Sequence, residues 1–239
     1  MNHIYETPVK TARALAELIL AKAKEKTKQS LPFNIALSGG STPKLLFTLL
    51  ANEYADSIPW HFVRLFWVDE RCVPPTHPES NFGMTYDSLL VHVPIHDSNI
   101  FRMQGEDNPG KEAVRYQKML ENELPLQDGF PQFDLVLLGM GDDGHIASIF
   151  PDNMSLLQSD SAVAVGVHPV SGQQRITLTG QTILHAKQVV FFITSASKAS
   201  VLRQIISREP EGEIYPTFYI ANNAKSADFY LDKAAAAQL

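Results

Sequence analysis

An α/β domain with a mainly parallel sheet is the fold class that the sequence predicts, and three observations carry it. Apolar runs of strand length alternate with segments of helical period along the chain. Glycine-rich or charged clusters follow directly on three of those runs, where strands of an open parallel sheet end and ligand crevices form. Periodic segments resume soon after each Pro- or Gly-containing stretch, at 73–83 and 104–110, so these read as loops and 1–239 as a single domain.

The elements follow in order. Residues 11–28 place Leu15, Leu18, Ile19 and Lys22 three and four apart, with neither glycine nor proline between, which predicts a helix. Lys22, Lys24, Lys26 and Lys28 near its end suit the negative pole of the helix dipole. Residues 34–37 predict a strand, 38–43 a glycine turn, and Leu45, Leu46, Leu49 and Leu50 a second helix. Ser41 or Thr42 is expected to cap that helix and Pro43 to occupy its first turn, where an N–H has no partner to lose. A buried strand is expected over 62–68, running into Asp69-Glu70-Arg71 as an exposed polar strand end. Another over 133–138 runs into Gly139-Met140-Gly141-Asp142-Asp143-Gly144-His145. Further strands are expected over 162–167, 189–194 and 217–220, with Arg175 heading one at 175–179, and helices around 111–124 and 197–207.

Composition excludes several classes of function. Asp and Glu number 26 against 20 Lys and Arg, a formal charge of −6, so no net field attracts polyanions and nucleic acid is not an expected partner. Cys72 is the only cysteine, which rules out an internal disulfide or a cysteine-built zinc site and fits a reducing cytoplasm. The opening MNHIYETPVK lacks the apolar core of a signal peptide, and no stretch approaches the roughly 20 apolar residues of a membrane span. A soluble, cytoplasmic protein with no membrane partner is expected.

Three segments can carry chemistry. In 38–43, Gly39 and Gly40 let backbone N–H groups approach a ligand, Ser41 and Thr42 add hydroxyls, and the following helix offers its positive end, so the turn reads as a phosphate cradle. It is not a Walker A loop, since no glycine precedes Lys44 and no Ser or Thr follows it. In 69–71, Arg71 is the group able to bind a phosphate, carboxylate or oxyanion through its planar fork. Nothing beside Cys72 predicts a thiolate. The third segment matches G-x-G-x-x-G after a strand, yet Pro151 interrupts the helix a dinucleotide would need, and Asp142 and Asp143 oppose an anion. What it offers instead is His145, a base near neutral pH that Asp143 or Asp142 can orient. His92 and His96 are spaced as metal ligands on a helix, but Pro94 lies between them and no third ligand is evident. Arg175 and Lys198 are cations at the start of a strand and of a helix, either able to close on a phosphate.

LSGGSTP at 37–43, DERCVPPTHPESNFGM at 69–84, LLGMGDDGHIASIFP at 137–151 and RITLT at 175–179 together resemble the 6-phosphogluconolactonase family. With Lys198 and Asp232-Lys233-Ala234-Ala235 the likeness covers roughly residues 10–239, in family order. DER with HPESN, and GDDGH with ASIFP, separate the lactonases from the related glucosamine-6-phosphate deaminases. Ile146 stands where Thr is usual, Asp152 where Gly often follows the proline, and Ser195 where a glycine precedes the tail lysine.

The resemblance implies a three-layer α/β fold shared with those deaminases and hydrolysis of 6-phospho-D-glucono-1,5-lactone to 6-phosphogluconate, with no metal and no cofactor. It implies His145, Asp143, Arg71 and Asp69 as catalytic candidates and Gly39, Gly40, Ser41, Thr42, Arg175 and Lys198 as the phosphate site, the partner being a small sugar-phosphate lactone. Two rivals are an amino-sugar-phosphate deaminase of the same fold and a non-catalytic sugar-phosphate sensor. Ammonia release would reveal the first, and binding without turnover the second.

Overall fold

The computed structural model describes residues 1–239. In chain order the elements are β1 (Asn2–Tyr5), α1 (Pro8–Lys28), β2 (Phe33–Leu37), α2 (Ser41–Glu53), β3 (Val63–Trp67), β4 (Asp69–Arg71), α3 (Asn81–Ser88), β5 (Ile100–Phe101) and α4 (Pro109–Glu123). There follow β6 (Leu126–Gln127), β7 (Phe130–Pro131), β8 (Leu135–Leu138), β9 (Val163–Val167), β10 (Gln174–Leu178), α5 (Gly180–Leu184), β11 (Val189–Ile193), α6 (Ala199–Ile206), α7 (Pro216–Asn223) and β12 (Ala227–Asp232).

Seven strands form the central sheet in the order β1-β12-β11-β8-β2-β3-β5, and every neighbouring pair is parallel. The side-chain period of two splits each inner strand between two cores. Ile35, Leu37, Leu65, Trp67, Leu135, Leu137, Val190 and Phe192 pack under α1 and α2. Ala36, Phe66, Val136, Leu138, Val189, Phe191 and Ile193 face the opposite way, with residues of α4, α6 and α7 and of a small antiparallel sheet, β4-β10-β9. Burial on both faces explains why these strands read as unbroken apolar runs. Each fully buried Leu or Phe among them contributes ~1.5–3 kcal/mol.

Local chemistry sets the helix starts. Thr7 caps α1 by accepting from the Lys10 N–H, with Pro8 in the first turn, so the helix begins three residues before the predicted 11. Asn108 caps α4 ahead of Pro109 in the same way, and Ser80 caps α3 through the Gly83 N–H. The tail of the expected loop at 73–83 is therefore already helical.

Two expectations are corrected. The expected strand at 217–220 lies inside α7: Pro216 opens the helix, and Thr217 ties it to the Gly144 carbonyl through both its N–H (3.2 Å) and its hydroxyl (2.7 Å). The β-favouring residues of TFYI yield here to the tertiary bond. The charged end of β3 is not exposed. Chain direction breaks at Val68, β4 leaves the central sheet to pair with β10, and Asp69 and Glu70 are buried.

The sheet has one topological switch point. From β2 the order runs outward through β3 and β5, and from β8 outward through β11 and β12. At such a point the connections leave in opposite directions and open a crevice beyond the carboxyl ends of the two central strands.

Candidate active site

The crevice is a cavity of about 220 Å³ at the ends of β2, β8 and β11, walled on one side by β4 and β10. Ser38 stitches its floor, donating from Oγ to the Leu137 carbonyl at 2.8 Å and accepting the Gly139 N–H at 3.3 Å.

The Gly39–Thr42 turn forms the first wall. Gly40, at φ +102°, is itself the cap of α2, and no side chain bonds the helix start. The expected capping by Ser41 or Thr42 does not occur; both lie inside the first turn. The consequence is chemical: the first N–H groups of a 13-residue helix stay unspent and point their partial positive charge at the cavity end. Thr42 Oγ1 lies 3.1 Å from Thr194 Oγ1, at the exit of β11, which adds a second hydroxyl. Gly39 has no room for a Cβ, because the Asn81 carboxamide packs against it.

β4 and β10 supply the second wall. Arg71 and Arg175 are cross-strand partners in antiparallel register. Arg71 Nη1 donates to the Glu79 carbonyl, while the Nε of each arginine is buried without a partner, a costly state. Burial lowers the Arg175 guanidinium from its ordinary value; Asp69 opposes this and the neighbouring Arg71 adds to it. The Arg175 guanidinium also lies over the Phe150 ring, 5.7 Å from its centroid. Asp69 lines the cavity but has both oxygens engaged, Oδ1 by Asn81 Nδ2 at 3.1 Å and Oδ2 by Ser148 Oγ at 2.6 Å. That makes it an anchor for α3 and for the loop after His145.

Glu70, two per cent exposed, anchors the same corner. Its carboxylate accepts from the N–H groups of Arg71, Asn81 and Phe82 and from Ser80 Oγ, at 2.7 to 3.0 Å.

The third wall carries His145. The turn 141–145 closes on itself, the Gly141 N–H donating to the His145 carbonyl at 2.9 Å. His145 Nδ1 lies 2.5 Å from Asp143 Oδ1. A Cβ on Gly141 would overlap the imidazole and the Asp143 carboxylate, so only glycine permits this pairing. Of the two carboxylates left open by the sequence, Asp143 is the orienting one. Burial pushes its carboxyl up, but the bond and charge of His145 prevail and bring it down to about 2. Phe150 packs its ring on the imidazole with centroids 4.7 Å apart. Asp142 turns the other way and pairs with Lys198 Nζ at 2.8 Å.

Lys198, on the short turn between β11 and α6, completes the rim. Ser195 holds that turn at φ +91°, the backbone form of the glycine for which it stands.

The cavity thus gathers Gly39, Gly40, Ser41, Thr42, Asp69, Arg71, His145, Arg175 and Lys198, with Asp143 directly behind His145. Asn81 and Thr194 also line it and were not singled out in the sequence. Their signals were present: Ser80-Asn81 is a capped helix start, and Thr194 is the first polar residue after a buried strand. The G-x-G-x-x-G match carries no helix of the required kind, since a 3-10 segment starts at Pro151. Burial pushes the Cys72 thiol up to about 11, and the nearby Glu70 charge adds to that, so it stays protonated. His92 ends a 3-10 turn and His96 precedes another; no group of three or more His, Cys, Asp or Glu side chains is placed to hold a metal ion. No helix is long and apolar enough to cross a membrane.

Comparison with known proteins gives consistent likenesses. The family described as Glucosamine-6-phosphate isomerases/6-phosphogluconolactonase matches residues 6–229. A 6-phosphogluconolactonase of Treponema pallidum is 40% identical over 206 residues, 86% of this chain and 84% of that one. One from Nostoc sp. is 40% identical over 230 residues, 95% of this chain and 93% of that one. The solved structure of the 6-phosphogluconolactonase from Trypanosoma brucei superposes with a TM-score of 0.88 at 30% identity, covering 100% of this chain and 98% of that one.

Proposed function

The chain belongs to the glucosamine-6-phosphate isomerase/6-phosphogluconolactonase family, on its lactonase side, and from that premise we propose that it opens 6-phospho-D-glucono-1,5-lactone to 6-phosphogluconate by general-base hydrolysis at His145. The observation that carries this reading is the shared cavity: a carboxylate-oriented imidazole stands on the same wall system as three cations and an uncapped helix start.

The substrate's phosphate binds the N–H groups and hydroxyls of Gly39 to Thr42, with Lys198 and Arg175 neutralising its charge. Asp143 occupies Nδ1, so Nε2 is the nitrogen left to accept a proton. Water attacks C1 as its proton passes to Nε2, and the carbonyl π pair moves onto oxygen. The tetrahedral oxyanion is stabilised by Arg71, which lines the same cavity, the N–H groups of Gly139 and Gly141 there being already paired with Ser38 and the His145 carbonyl. Collapse breaks the bond from C1 to the ring oxygen, which takes the proton back from His145. The product is a carboxylic acid that ionises in water. Asp69 and Asn81 hold the wall in place. The cycle calls on no metal ion or cofactor, because a lactone already hydrolyses slowly in water and a base with fixed geometry supplies the remaining acceleration. A cytoplasmic setting belongs to the same reading and rests on the unpaired Cys72.

The test generates the lactone in situ and records acid release above the spontaneous rate. Saturable acceleration supports the reading. Ammonia release from glucosamine 6-phosphate, or binding of 6-phosphogluconate with no acceleration, overturns it.

A further inference from the structure

The two adjacent acids of the 141–145 turn do different work, and only Asp143 is used by the mechanism. Asp143 carries its charge into the site through the imidazole. Asp142 is three-quarters exposed, does not line the cavity, and reaches over the rim to the one lysine that does. Lys198 is itself largely buried, with its Nζ 2.8 Å from Asp142 Oδ1. The ion pair closes the loop after β8 onto the turn between β11 and α6.

We propose that Asp142 is an internal competitor of the substrate's phosphate: it holds Lys198 at the rim, and the phosphate must displace it to claim that cation. The proposal rests on the reading of Lys198 as a phosphate ligand. Three features make the exchange inexpensive. An exposed carboxylate recovers its hydration when released, whereas a buried one would not. The neighbouring Asp143 charge repels it. The incoming phosphate carries up to two negative charges and brings three oxygens to the same Nζ. By contrast, Asp143 is held by the imidazole and by the His145 N–H and is not free to leave. The purpose is release. A site with two arginines, a lysine and an open helix end holds a phosphorylated carboxylate product tightly, and an internal anion that reclaims Lys198 shortens its stay.

Calorimetric titration of 6-phosphogluconate into wild type, Asp142→Asn, Lys198→Met and the double variant tests this, with thermal melts checking that each is folded. Asp142→Asn is expected to tighten binding about two- to fivefold, the span of an exposed ion pair. Lys198→Met is expected to weaken binding, and adding Asp142→Asn to it to restore nothing, since the gain runs through the lysine. If Lys198→Met weakens binding while Asp142→Asn leaves it unchanged or weaker, the proposal is overturned and the phosphate site stands. Equal tightening in both backgrounds means a diffuse charge effect and likewise overturns it. Unaltered binding in Lys198→Met removes Lys198 from the phosphate site and the competition with it.

Discussion

Asp143 Oδ1 accepts two hydrogen bonds from one residue: the His145 imidazole Nδ1 at 2.5 Å and the His145 backbone N–H at 3.2 Å. The ring is thereby fixed in position and in tautomer by its own turn, with the Phe150 ring against its face. Orientation by an adjacent carboxylate is the arrangement hydrolytic enzymes use to keep one imidazole nitrogen free.

On the proposed mechanism, replacing His145 with alanine removes the base and leaves the phosphate site in place. The expected result is a fall in kcat on the order of 10²–10⁴ with 6-phosphogluconate affinity changed less than about threefold. Steady-state rates of the in situ lactone assay, together with calorimetric binding, separate the two quantities. An equal loss in both would assign His145 to binding.

Asp143→Asn tests the orienting role and carries a pH signature. The carboxyl lies at about 2 in the fold against an ordinary 3.8, so the charged form stabilises the fold. That contribution is present above pH ~4 and is lost as pH falls toward 2. Nearly half of the side chain meets solvent, and screening reduces the contribution to about 1 kcal/mol or less. The variant should therefore lose less stability than wild type between pH ~4 and ~2, read from urea midpoints, while kcat at neutral pH falls on the order of 10². A wild-type rate near neutrality means the imidazole orients without its partner.

Glu70 carries a prediction about the wall opposite. Glutamine keeps its shape but turns one acceptor into a donor facing N–H groups of Arg71, Asn81 and Phe82 or the Ser80 hydroxyl. Glu70→Gln is expected to cost about 2 kcal/mol and to raise KM, because Arg71 and Asn81 depend on this carboxylate for their place. Its pH dependence runs opposite to that of Asp143. Burial, opposed by the N–H donors, holds the carboxyl above 4.5, so the fold favours the protonated form. That gain is present below the ordinary value and is lost as pH rises through the raised one. Denaturant midpoints at pH 4 and 7 measure both effects, and a neutral variant at pH 7 would refute the anchoring role.

The contrast between Glu70 and the glycine turns shows what was legible in the sequence. β2, β3, β8 and β11 are buried on both faces, so their apolar runs announce them, and the polar clusters behind them mark the crevice with no knowledge of packing. Nine of the ten predicted site residues line that cavity, eight of them at or after strand ends and Arg175 at the head of β10, and the tenth, Asp143, backs His145. The burial of Asp69 and Glu70 was not legible, since their partners Ser80 and Asn81 lie ten to twelve residues on, across a turn. β1 and β12 were missed as well: they lie at one side of the sheet, where mixed residues blur the period of two. The helix at Pro216 was masked by strand-favouring side chains whose placement depends on the distant Gly144 carbonyl.

Ser195 yields the last prediction, because its backbone pays for a position that glycine adopts freely. At φ +91° and ψ 141° a Cβ is crowded, and such a residue costs about 1–3 kcal/mol unless its surroundings hold it. Here they do: the Ser195 N–H donates to Asp232 Oδ1 at 3.2 Å, the same oxygen accepts the Ala235 N–H at 2.8 Å, and the Lys198 N–H closes on the Ser195 carbonyl at 3.2 Å. Glycine relieves the strain but adds about 0.4–1 kcal/mol of unfolded-chain entropy. The net expectation for Ser195→Gly is a gain of about 1 kcal/mol, a rise in Tm of roughly 2–4 °C for a chain of this length. Ser195→Ala keeps the strain and loses two long, exposed contacts with Ser197, at 3.4 Å to its N–H and 3.3 Å to its hydroxyl, so it should stay within about 0.5 kcal/mol of wild type. If calorimetric melts place glycine at or below alanine, the turn that carries Lys198 to the rim is unstrained, and the exchange of glycine for serine there is neutral.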